Sequence, residues 1–88
     1  MENNRVITEV ENIKTDLEYT LANVSRLLKK VKGYDSFKKS NKSADIVLYL
    51  LEAEELNEEI DKKLYNALIR SRALTDILEN EVKSFPQK

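Results

Sequence analysis

The sequence predicts an all-α fold: a long antiparallel helical hairpin or an elongated three-helix bundle, dimerising into a four-helix-type bundle. Three observations carry this. Val6, Val10, Ile13, Leu17, Thr20, Val24, Leu27 and Val31 are spaced 4, 3, 4, 3, 4, 3 and 4 residues apart. That 3.5-residue period puts a continuous seam along one side of a helix, and such a seam needs another helix to cover it. There is one Gly and one Pro among 88 residues, too little turn punctuation for a strand-rich fold. Charged residues make up 35% of the chain, the composition of long, solvated helices.

The first helix is expected over about residues 4–32. Asn3 or Asn4 can cap its start. Gly33 offers the left-handed position that ends many helices, and Lys29, Lys30 and Lys32 suit the negative end of the helix dipole. Residues 33–43 then read as a basic loop. Ser43 is a good N-cap for a second helix over about 44–84, with Asp45 in its first turn and Pro86 closing it. That second helix is apolar at Ile46, Leu50, Ala53, Ile60, Leu64, Ala67, Leu74 and Leu78, with lapses at Asn57 and Ser71. A first helix ending at Gly33 is about 20 Å shorter than the second. A break near Asn57, giving a three-helix fold, removes the mismatch. Against a break, Glu58 with Lys62 and Glu59 with Lys63 are favourable i,i+4 pairs.

The size of the chain bears on function. A single domain of 88 residues buries only about 60–65% of its unfolded surface, so a lone copy is marginal. With no Cys and no His, neither disulfides nor the commonest transition-metal ligands are available to support it. No cofactor is expected. The remaining route to stability is a partner chain. The same two absences, and the single Gly, remove the usual nucleophile–base pairs and phosphate-binding loops, so the chain is not expected to be an enzyme. The longest apolar run, residues 46–51, is six residues, and a membrane span needs about 20. The first residues lack the basic-then-apolar pattern of a secretory leader, so a cytoplasmic location is expected.

Three features are candidates for contact with something else. The first is the apolar surface: Val10, Ile13, Leu17 and Val24 in the seam, with Ile46, Val47, Leu48, Leu50 and Leu51. Consecutive apolar residues cover every side of a helix, so the 46–51 cluster calls for burial all round, by an oligomer or a partner, with a local core under the basic loop as the alternative. The second is an acidic face, Glu52, Glu55, Glu58 and Glu59, within a stretch holding six acidic residues in ten. Its bland explanation is a solvated helix side; its functional one is a basic partner surface. The third is the basic segment 26–42, which holds seven basic residues and one acidic. Lys29, Lys30, Lys32, Lys38, Lys39 and Lys42 could meet phosphates, with Tyr34 and Phe37 as stacking platforms. A net charge of −1 favours dipole compensation and a solvated loop over a nucleic-acid site.

The expected function is a small, non-catalytic protein–protein interaction module, a stoichiometric regulator, inhibitor or adaptor of a larger protein, self-associating as a dimer. One alternative is a nucleic-acid-binding accessory protein that uses residues 26–42. Another is a structural or assembly subunit. The Lys-, Asn- and Glu-rich composition points to a low-GC bacterial, phage or mobile-element source.

Overall fold

The computed structural model describes residues 3–86, and it contains two helices. Helix α1 runs Asn3–Ser40 and helix α2 runs Ser43–Ser84. At 38 and 42 residues they are about 57 and 63 Å long. A two-residue connection, Asn41 and Lys42, turns the chain back, and the helices pack antiparallel. The hairpin measures 70 × 21 × 14 Å, the thickness of one layer of helices. None of the described helices is long and apolar enough to cross a membrane.

Two expectations are corrected. Residues 33–40 of the expected loop are helical. Gly33 does not adopt the left-handed conformation that would end a helix, and α1 passes straight through it. The reason lies on α2. The Tyr49 hydroxyl donates to the Lys30 carbonyl and sits 3.3 Å from where a Cβ at Gly33 would lie. Gly33 therefore provides room for a close crossing. Two further turns of α1 bring Phe37 onto Tyr49, and α1 ends where the Asn41 side chain donates to the Phe37 carbonyl. The longer α1 removes the length mismatch, and α2 is unbroken through Asn57 and Ser71. The second correction is the cap: Ser43 is the first residue inside α2, and Lys42 before it supplies no side-chain cap. Lys62 pairs with Glu59, three residues away, at 3.8 Å, in place of the expected i,i+4 partner Glu58.

Only alternate members of the predicted seam face α2. Val6, Ile13, Thr20 and Leu27 turn inward, whereas Val10, Leu17, Val24 and Val31 lie on the flank. The second inward ridge of α1 is polar: Glu9, Asp16, Asn23 and Lys30. Ion pairs join the helices in this register. Arg70 of α2 places Nη1 3.5 Å from Glu9 and Nε 3.5 Å from Asp16, and Lys30 reaches Glu52 at 2.6 Å. Apolar burial is sparse. Ile60 and Ala67 are the buried apolar residues among those described, beside buried Thr20 and Asn23, and no large side chain is fully enclosed. Thr20 satisfies its hydroxyl on the Asp16 carbonyl, as threonines inside helices do. Asn23 accepts from Arg26, yet its Nδ2 has no partner.

An unpaired buried donor costs about 1–3 kcal/mol. Asn23→Leu is therefore expected to stabilise the hairpin and raise its thermal midpoint by about 4 °C or more. A lowered midpoint in a calorimetric scan would show that the amide has a role that the apolar side chain cannot fill.

Candidate interaction surface

Seven-residue steps assign each ridge of the hairpin to a side. Val31 and Leu50 line one groove with Tyr34 and Ala53, so they mark the same broad face. On α1 that face carries the ridge Val10, Leu17, Val24, Val31. Beyond it runs a second ridge, Ile7, Lys14, Leu21, Leu28, Asp35. On α2 the same face carries Leu50, Asn57, Leu64, Ser71 and Leu78, flanked by Val47, Glu54, Asp61, Leu68, Thr75 and Val82. The apolar members of these ridges are between 42% and 67% exposed. The α1 half is nearly continuous in apolar residues; the α2 half is interrupted by carboxylates and amides at its middle.

The opposite face is polar. Glu52, Glu55 and Glu59 line a groove with Tyr19, Asn23, Arg26, Lys30 and Leu56. Glu58 is exposed and lies outside that groove. The acids do not stand alone there: Glu52 is paired with Lys30, and Lys63 sits 5.1 Å from the Tyr19 ring centre. This face satisfies much of its own charge.

The remaining candidates divide in the same way. Ile46 and Tyr49 turn toward α1, while Val47, Leu48, Leu50 and Leu51 stay about half exposed. The 46–51 cluster is thus partly a local core and partly free surface. Ile13 faces α2. Of the basic residues, Lys30 is committed to Glu52 and to the Tyr49 ring, 4.0 Å from its centre. Lys29, Lys32, Lys38, Lys39 and Lys42 are exposed, and Lys38 lies 5.9 Å from the Tyr34 ring centre. Phe37 stacks on Tyr49 at 4.3 Å, and Tyr34 meets the same ring at 6.1 Å. Both aromatics are occupied in closing the turn end of the hairpin, so they are not arranged as free platforms for bases.

Sequence reading missed Arg70, Glu9 and Asp16, because nothing local marks a long-range ion pair. It also missed the Ile7, Leu21, Leu28 ridge, for which the seven-residue spacing was an available signal. Compared with protein-family models, curated proteins and solved structures, the chain matches none.

The Gly33–Tyr49 crossing can be tested by a double-mutant cycle. Ala in place of a helical Gly gains about 1 kcal/mol. In the native background the new Cβ crowds the Tyr49 hydroxyl, so Gly33→Ala is expected to gain less. In a Tyr49→Phe background it should gain the full amount, a coupling of about 0.5 kcal/mol or more in urea unfolding. Equal effects in both backgrounds would show that the hydroxyl does not need the space.

Proposed function

We propose that this chain is a small, non-catalytic interaction module that acts stoichiometrically on a larger protein, and that it does so as a dimer of hairpins forming a four-helix-type bundle. The observation that carries this is how the apolar side chains are shared between the inside and the outside of the hairpin. One inward ridge of α1 is taken up by Glu9, Asp16, Asn23 and Lys30, while Val10, Leu17, Leu21, Val24, Leu28 and Val31 are left on the outside. A contiguous apolar strip of this length is the mark of an interaction surface. Two hairpins stacked through it gain the core that a single layer lacks. Leu48 and Leu51, on the outer side of α2, then remain available to the larger protein. A cytoplasmic regulator, inhibitor or adaptor of phage or mobile-element origin suits this anatomy. Nucleic acid is the weaker reading, since Tyr34, Phe37 and Lys30 are engaged within the hairpin.

Light scattering should give a fixed multiple of 10.2 kDa across concentration. Leu17→Asp with Val24→Asp should return the chain to a monomer with a markedly lowered thermal midpoint, because neither residue packs inside the hairpin and both lose the cover of the second copy. A native chain that stays monomeric contradicts self-association, and a mass that grows without limit indicates an assembly subunit. The larger target is tested by affinity capture with and without nuclease. One stoichiometric protein that survives nuclease, and is lost in a Leu48→Asp/Leu51→Asp variant, is expected. Capture abolished by nuclease would overturn the reading in favour of nucleic acid.

A further inference from the structure

We infer that the second copy docks antiparallel on α1, with the two-fold axis crossing α1 near Val24 and Ser25 and with Lys14 of each copy meeting Asp35 of the other. This rests on the reading that the chain self-associates, and adds which helix, which direction and which register.

Direction follows from charge. Residues 3–20 of α1 carry four acidic and two basic residues; residues 21–40 carry six basic and one acidic. A parallel pair of α1 helices lays the basic half on the basic half. An antiparallel pair lays each basic half on the acidic half of the other copy, which steers and stabilises association. A two-fold axis makes that contact self-complementary.

Register follows from the two charges within the outer apolar ridge. Lys14 and Asp35 are the polar members of the series Ile7, Lys14, Leu21, Leu28, Asp35, and both are exposed. Among the described residues Asp35 forms no ion pair, and Lys14 has only an open 3.7 Å pair with Glu18. A parallel arrangement sets Lys14 against Lys14. With the axis between residues 24 and 25, Lys14 falls opposite Asp35 and Leu21 opposite Leu28, and Leu17 lies within one residue of Val31. Two ion pairs then bracket an apolar middle. Glu11 on the neighbouring ridge falls opposite Lys38, and Glu18 lies within one residue of Lys32. Shifting the axis by one heptad breaks all of these matches.

The available area is sufficient. A standard interface buries about 800 Å² per partner, which takes the full 21 Å width of the hairpin, α1 and α2 together, over about 40 Å of its length. In this register the two α1 helices overlap over residues 9–40, about 47 Å. The α2 ridges, interrupted at Glu54, Asn57 and Asp61, supply the more polar half of that contact.

The chain has no cysteine, so introduced thiols report the register cleanly. Position 17 of one copy lies beside position 31 of the other, within disulfide reach, and about 22 Å from its own counterpart. Under mild oxidation, Leu17→Cys alone and Val31→Cys alone should each stay unlinked, and a mixture of the two should link. Self-linking of Leu17→Cys would show a parallel pair or a two-fold displaced to residue 17, and either would overturn the inference while leaving self-association standing. A dimeric mass with no link in any combination would move the interface to another face. A monomeric mass for the native chain would overturn both this inference and the reading beneath it, assigning the strip to a different protein. A second test uses exposed residues only. Lys14→Asp should weaken association roughly five- to tenfold, and adding Asp35→Lys should restore it. Further weakening on adding Asp35→Lys would contradict the pairing.

Discussion

Two helices cover each other on one side only, and nearly everything about this molecule follows from that constraint. A hairpin 14 Å thick has little interior, because most side chains between the helices keep an edge in solvent. Polar contacts at such a boundary are only partly desolvated. That is why Arg70 can sit between Glu9 and Asp16, and Lys30 beside Glu52, without the large penalty of a fully buried charge. These pairs join the helices in the observed register. Their stabilising value is modest, since Arg70 remains 38% exposed and Glu52 57%.

With Glu9, Asp16, Asn23 and Lys30 taking one of the two inward ridges of α1, the apolar ridges that include Val10, Leu17, Leu21, Val24, Leu28 and Val31 face outward. The flank of α1 then carries the largest unpaid debt of the structure. It includes Leu21 at 67% exposure and Val31 at 61%. Fully burying such a side chain is worth about 1.5–3 kcal/mol, so covering several of them is comparable to the whole stability of a domain this size. Folding and association are linked on this view, as in obligate dimers whose separate chains have little stability. The opposite face, where Lys30, Glu52, Lys63 and Tyr19 satisfy one another, has no such need.

The helical class was legible from the scarcity of Gly and Pro and from the heptad spacing, and the two-helix plan was one of the two readings they left open. What sequence alone left open was decided by contacts between distant residues. Gly33 reads locally as a terminator, and only the Tyr49 hydroxyl crossing over it shows why it sits inside a helix instead. The seam from Val6 to Val31 reads as one surface. The structure divides it into an inner ridge and a flank, with Asp16 and Asn23 turned inward and Asp16 paired with Arg70, far along the chain. The exposed cluster at residues 46–51 was legible as a surface needing cover. Its division into Ile46 and Tyr49 on one side and Leu48 and Leu51 on the other depends on where α1 lies. The charge asymmetry along α1 was visible throughout, but it gained meaning only when α1 proved to be one unbroken helix to Ser40.

The most direct measurement is the thermal midpoint as a function of protein concentration, followed by circular dichroism from about 5 µM to about 500 µM. If the hairpin depends on a second copy to cover the α1 flank, the midpoint should rise by about 5 °C or more over that hundredfold range. A midpoint that stays constant while the chain remains helical and monomeric would show that one hairpin is stable alone with its apolar flank in water, and would contradict the dependence of this fold on association.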